Sequence, residues 1–197
     1  MVIAGRTVVA RRTLCRASEG GDGDNFGYVV AIDGDLILTG GRYHDEGGLS
    51  NGGAGYVFHN DGGDDWQQEA KLLASDRAAN DNFGLWLDIK GGTAVVGATY
   101  DNSNTGSAYI FRRASDGQGG FAWEQRKKVV GSQCNSGDYV GRSAALSGDQ
   151  LIVGAYHDEA PGENNTGAAY AYGGLEGGRT VQTWNLDAVG NPPTSGL

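Results

Sequence analysis

The sequence predicts an all-β chain made of small, similar sheets. Three observations predict it: the glycine content, a repeat of fixed period, and short apolar runs separated by turn residues. Glycine supplies 36 of 197 residues, close to one in five where about 7% is usual. No Gly-X-Y period accompanies it, which excludes collagen. A composition of 39% hydrophobic and 9% aromatic residues excludes a disordered chain. The length suits one domain, or one array of small units, with a real core.

The repeat organises everything else. Asp24–Gly27 reads DNFG, Asp81–Gly84 reads DNFG again, and Asp138–Gly141 reads DYVG, so Gly27, Gly84 and Gly141 follow one another at 57 residues. Gly40, Gly97 and Gly154 keep the same step of 57. An aromatic run ends at Phe58, Phe111 and Tyr172, spaced 53 and then 61 residues, so the loop before it varies. A tryptophan follows in each unit: Trp66, Trp123 and Trp184.

Each unit offers four strand-like runs. In the first these are FGYVVAI, LILTGG, GYVF and WQQEAKLLA, placing strands near Phe26–Ile32, Leu36–Gly41, Gly55–Phe58 and Trp66–Leu73. Short β-branched and aromatic runs bounded by Gly, Asp and Asn clusters are strands with turns. The links Ile32–Leu36, Ile89–Thr93 and Leu146–Gln150 each carry a hairpin glycine. No stretch holds a helical period. In the second runs both parities are apolar: Ile37, Ala94 and Leu151 on one face, Leu38, Val95 and Ile152 on the other. Such sheets are covered on both sides. Four-stranded antiparallel sheets stacked through a repeat of this length describe a β-propeller.

The expected fold is therefore a partial β-propeller of three four-stranded antiparallel blades plus an N-terminal strand from a preceding blade. Residues 1–23 form the N-terminal segment, 24–80, 81–137 and 138–189 the three blades, and 190–197 a tail. The preceding-blade strand is read from Thr13–Ser18, which aligns one period before Ala70–Ser75. Propellers have about four to eight blades, so three and a half do not close a ring. The expected partner is a protein, like or unlike this chain, covering the open blade faces.

Charge narrows the partners further. With 15 Lys+Arg against 24 Asp+Glu the formal balance is −9, which repels phosphate backbones and anionic lipid. No nucleic acid is expected, since the basic clusters Arg11-Arg12, Arg112-Arg113 and Arg126-Lys127-Lys128 are too short for such a footprint. No apolar run reaches the ~18 residues of a membrane-spanning helix, so no membrane insertion is expected. The first residues, MVIAGRTVVARR, lack the apolar core of a signal peptide. Cys15 and Cys134 fall at different phases of the repeat and are expected as two free thiols.

These marks resemble the FG-GAP repeat, the blade unit of the integrin α-subunit propeller. The FG is carried by Phe26-Gly27 and Phe83-Gly84, with Val140-Gly141 a degenerate copy. The GAP position reads Gly40-Gly41-Arg42, Gly97-Ala98-Thr99 and Gly154-Ala155-Tyr156, without the family's proline. The resemblance runs from Asp24 to near Ala188. It implies a blade fold used for binding rather than chemistry, and an extracellular, periplasmic or organelle-lumenal setting. The function it implies is a non-enzymatic module for protein–protein interaction or a structural role in a larger assembly. The alternative is a calcium-dependent adhesion or glycan-binding module using acidic rim loops.

Candidate chemistry is sparse. The Asp-x-Asp-x-Asp-Gly loop that wraps calcium in integrin-type blades is missing, and Asp61–Asp65 lacks its alternation. The better cation candidates are two Tyr-His-Asp-Glu strings after the second strands, His44, Asp45 and Glu46 and then His157, Asp158 and Glu159, with Asp101 between them. Histidine with carboxylates suits a divalent ion, though adjacent side chains do not all face one atom; no other cofactor is expected. Asp24, Asp81 and Asp138 are expected to cap the turn ahead of the FG strand, and the tryptophans to anchor outer strands. Gly48-Leu49-Ser50-Asn51-Gly52 fits the G-x-S-x-G elbow, but that elbow needs a strand-to-helix turn, and a Gly/Asn loop between strands is not one. No catalytic residues are expected.

Overall fold

A computed structural model describes residues 13–63, 65–159 and 164–175, together with the backbone of 182–186. The expected tail, 190–197, lies outside the described residues. The chain forms three antiparallel sheets. The first holds β1 (Val30–Asp33), β2 (Leu36–Gly41), β3 (Ala54–His59) and β4 (Gln67–Leu72). The second holds β5 (Phe83–Lys90), β6 (Thr93–Ala98), β7 (Ser107–Ser115) and β8 (Phe121–Val129), with one irregular turn, α1 (Asp101–Asn104), after β6. The third holds β9 (Val140–Ser147), β10 (Gln150–Ala155), β11 (Ala168–Gly173) and β12 (Gln182–Leu186). Each sheet is a simple meander, strand next to strand in chain order.

Local chemistry sets the hairpins. The β1–β2 ladder ends at Asp33 opposite Leu36, the β5–β6 ladder at Lys90 opposite Thr93, and the β9–β10 ladder at Ser147 opposite Gln150. Each therefore turns on two residues led by a glycine at positive φ: Gly34, Gly91 and Gly148. That is the backbone a two-residue hairpin demands.

The blades stack through glycine. A side chain at Gly40 would overlap the carbonyl of Gly84, and one at Gly97 the carbonyl of Gly141. The second-strand glycine of one blade thus lies against the FG glycine of the next. The FG glycines Gly84 and Gly141 sit at φ of 89° and 79°, and a Cβ on either would overlap Ala54 or Ser107 backbone. Phe83 also bridges Gly53 of the preceding blade, and Val140 bridges Gly106. This explains why β5 and β9 start at the FG position whereas β1 starts only at Val30, later than the expected Phe26. Phe26 has no such bridge to a preceding blade among the described residues.

Two cores fill the gaps between sheets. Leu36, Leu38, Val57 and Leu72 of the first blade pack with Phe83, Leu87, Ile89, Tyr109 and Phe111 of the second. Val95, Ile110 and Val129 of the second pack with Val140, Leu151, Val153 and Tyr170 of the third. A third cluster joins Ala54, Tyr56 and Phe58 to Cys15 and Ala17. Cys15 and Ala17 stand one period before Leu72 and Ala74, which pack on the second blade. Thr13–Ser18 so takes the place of a preceding blade's outer strand, though it pairs with no strand among the described residues. The likeness extends to hydrogen bonds: the Ser18 N–H donates to Gln68 at 2.9 Å and the Ser75 N–H to Gln125 at 2.9 Å.

Candidate functional site

The fold repeats one buried polar cluster at the foot of each blade. Its first member is the aspartate ahead of the FG strand. Asp24 accepts from the Gly21 N–H at 2.8 Å, Asp81 from the Ala78 N–H at 2.6 Å and Asp138 from the Asn135 N–H at 2.5 Å. Each carboxylate pins the connector that enters its blade, and each is buried. The second member comes from the loop after the second strand and is His44, Asp101 or Asp158, again at 57-residue steps and again buried. The third is a third-strand tyrosine: Tyr56, Tyr109 or Tyr170. Tyr109 donates to Asp76 at 2.9 Å and to Asp101 at 3.3 Å, and Tyr170 donates to Asp158. Burial pushes all three phenols far above their ordinary pKa.

The clusters differ in what balances their carboxylates. In the first blade Lys71 pairs with Glu19 and, at 2.8 Å, with Glu46. The Lys71 ammonium holds the Glu46 carboxyl below the usual range. In the second, Lys128 reaches Asp101 at 2.5 Å and Asp76 at 2.7 Å. Lys71 and Lys128 lie opposite Tyr56 and Tyr109 in their ladders. The residue opposite Tyr170 is Asn185. The third cluster instead gathers Cys134, Asp138 and Asp158, with one donor atom of each within 4.8 Å of the others. The Cys134 thiol lies 3.5 Å from Asp158 and 3.2 Å from the Tyr170 hydroxyl, and burial pushes its pKa up to about 12. Both cysteines are free thiols.

The two Tyr-His-Asp-Glu strings prove to be one residue out of step. His44 holds the inward place of Asp101 and Asp158, its Nδ1 2.9 Å from Asp24. His157 instead matches Tyr43 and Tyr100, and its ring packs on Tyr156 and Tyr139. Asp45 is exposed and accepts from the Asn51 N–H at 2.7 Å. Glu46 leans 3.5 Å from the buried, unpartnered His44 Nε2. Glu159 is exposed. Of these candidates only Asp158 enters a group with metal-ligating geometry among the described residues.

An aromatic patch lies on the same rim. Tyr139 stacks on Tyr156 at 5.3 Å and meets Tyr100 edge-on at 5.8 Å. It takes the place of Asn25 and Asn82 in the other repeats and shares their left-handed backbone, with φ of 57°. Asparagine tolerates that conformation; a bulky tyrosine there is an outlier. Of the outer tryptophans, Trp123 donates its indole N–H to Glu69 at 2.7 Å, linking adjacent blades. Ser50 sits in an exposed turn closed by the Leu49 N–H on the Glu46 carbonyl, with no helix behind it.

Three stacked four-stranded antiparallel blades define a protein built from propeller-blade repeats. The FG-GAP repeat model matches residues 15–58, 66–111 and 123–172, so the chain belongs to the FG-GAP repeat family. Each matched unit begins at the outer-strand position of one blade and ends on the third strand of the next, so it straddles the blade boundary. A search of curated proteins found none that matches the chain. The third cluster was missed in the sequence, yet it left a signal. Gly131, Cys134 and Asn185 each break a 57-residue correspondence, with Ala74, Arg77 and Lys128 respectively.

Proposed function

We propose that this FG-GAP module works by protein–protein interaction, as a structural part of a larger assembly, docking through its two outer blade faces. FG-GAP repeats indicate a propeller-like interaction module, and the family is generally non-enzymatic. One observation carries the reading. Leu38, Val95 and Ile152 hold one position in three blades, and their exposures are 0%, 0% and 40%. On the opposite face Val30 and Ile32 are each 66% exposed, where their second-blade counterparts Leu87 and Ile89 are 3% and 2%. Apolar surface that is core between blades is therefore wet at both ends, and such patches mark interaction sites.

The inner interfaces supply the shape of the partner. Gly97 receives an FG glycine, whereas the nearest atoms to a side chain at Gly154 all belong to Ser143 of its own blade. The third blade thus presents a seat for an FG-type strand, offered by a second copy or another blade protein. FG-GAP repeats are typical of extracellular or secreted proteins, and the proposal places the assembly in an extracellular, periplasmic or organelle-lumenal setting. Light scattering on the purified chain tests it. A stoichiometric assembly lost on Ile152→Asp is expected; a stable, monodisperse monomer that takes no blade partner overturns it.

A further inference from the structure

We propose that Cys134, Asp138 and Asp158 form a binding site for a divalent metal ion of the zinc class, which takes the place that a lysine ammonium holds in the other two blades. Two carboxylates, both more than nine-tenths buried, face a thiol with their donor atoms mutually within 4.8 Å. Among the described residues no ammonium or guanidinium pairs with either carboxylate. Buried charges are normally paired or bound to metal. In the second blade Asp101, which corresponds to Asp158, obeys that rule through Lys128; in the first blade His44 takes that place beside Asp24, and Lys71 pairs with Glu19 and Glu46.

The departures from the repeat fall together on this spot. Lysine gives way to Asn185 opposite Tyr170. The acid that shares the lysine, Glu19 or Asp76, gives way to Gln133, and Arg77 gives way to Cys134. Alanine, at Ala17 and Ala74, gives way to Gly131, where a Cβ would overlap the Cys134 sulfur and the Tyr170 ring. The glycine is therefore what admits the sulfur to the cluster. Loss of the ammonium, gain of a thiol and room for that thiol are three separate changes with one result.

Geometry and donor type select the ion. Zinc–sulfur and zinc–oxygen bonds of about 2.3 and 2.1 Å set a tetrahedral S···O edge near 3.6 Å. The Cys134 sulfur already stands 3.5 Å from Asp158 Oδ2. A thiolate favours zinc-class ions over calcium, which takes six to eight oxygens. On binding, the metal–sulfur bond replaces the S–H bond and the proton leaves to solvent. Cys134 and Asp138 lie on the connector between the second and third blades and Asp158 on the loop after β10, so the ion would tie the connector to its blade.

The test uses the whole chain carrying Cys15→Ala, which leaves Cys134 as its only thiol. Titration with Co²⁺ is expected to give one ion per chain with thiolate-to-cobalt charge-transfer absorption, displaced by Zn²⁺. Zn²⁺ is expected to slow alkylation of Cys134 at least ~10-fold, and Asp158→Asn to weaken binding at least ~10-fold, the scale on which even outer partners of metal ligands act. Asn185→Lys, which restores the ammonium, is expected to abolish the absorption without changing the circular-dichroism spectrum. A folded chain whose thiol alkylates at the same rate in a large excess of Zn²⁺ overturns the proposal. So does a cobalt spectrum that survives Cys134→Ser.

Discussion

The second and third blades have the same strands in the same order, but they live in different surroundings. The second has a neighbour on each side, and β6 is buried from Thr93 to Ala98. Among the described residues the third has one neighbour, and in β10 buried residues alternate with exposed or half-buried ones. What differs is not propensity, since Val95 and Ile152 are both β-branched, but what lies against them. Blade stability here is a nearest-neighbour property, as in other repeat proteins. Substitutions at matching positions should therefore have unequal effects, and the inequality is measurable.

The largest difference is expected at the stacking glycines. Gly97→Val drives a side chain into the Gly141 carbonyl, backbone that cannot swing aside. The loss should reach about 3 kcal/mol or more, the upper range for overpacking. Gly154→Val meets the Ser143 hydroxyl first, the end of a rotatable side chain, with the Ser143 carbonyl at ordinary contact distance, and should alter the melting of the chain by no more than ~0.5 kcal/mol. It should nevertheless block the proposed docking. Equal melting losses for the two variants would break the comparison.

These glycines also show how far the sequence could be read. Their fixed phase revealed the blade count and the stacking, because only backbone-on-backbone contact requires a residue without a side chain at the same step. The phase of the polar cluster was harder to read. Loops of unequal length put Tyr56, Tyr109 and Tyr170 at 53 and 61 residues, and the recurrence of Tyr-His-Asp-Glu suggested an alignment one residue off. Only the ladders, which set Lys71, Lys128 and Asn185 opposite those tyrosines, identify the matching places. That the outer faces stay open followed from the blade count, but that Val30 and Ile152 in particular lie exposed there was not legible in the residues themselves, since it depends on what stands beside the blade.

The polar clusters should give the next largest effect. Lys128→Met leaves Asp101 and Asp76 without their cation in a half-buried setting. A loss of about 2 kcal/mol is expected, between the values for exposed and for buried pairs. The change should also alter the acid limb of stability. Burial raises the Asp76 pKa, but the Lys128 ammonium and Tyr109 hydroxyl outweigh it and hold the carboxyl below its ordinary value. Its stabilisation is therefore complete above the ordinary carboxylate range and is lost as pH falls through the depressed value. Denaturant titrations across acid pH should show a shallower decline in Lys128→Met than in the parent chain.

A smaller contrast separates Val95 from Ile152. A threonine at position 95 places a hydroxyl in the core between the second and third blades, where burial without a partner amounts to roughly 1–2 kcal/mol. Ile152→Thr puts the same hydroxyl on a surface that is 40% exposed and should change stability by less than ~0.5 kcal/mol. If chemical denaturation finds Ile152→Thr as harmful as Val95→Thr, the third blade's outer face is covered in solution. Measuring the pair over a range of protein concentrations separates covering by a second copy from covering within the chain, because only the former depends on concentration.

The smallest effect is expected at Ser50, and it sets the baseline for the others. The serine lies in an exposed turn, and its backbone carbonyl, not its hydroxyl, receives the Asn80 N–H at 2.8 Å. A nucleophile elbow would need that hydroxyl held on a strained strand-to-helix turn beside an oxyanion hole. Here the neighbouring residues instead close a loop that leads to the Gly53–Phe83 bridge between blades. What the loop contributes is its backbone path, which alanine preserves. Ser50→Ala should shift stability by no more than ~0.5 kcal/mol and leave assembly by light scattering unchanged. A melting loss near that of Gly97→Val would mean that the hydroxyl, rather than the backbone, holds the first blade to the second.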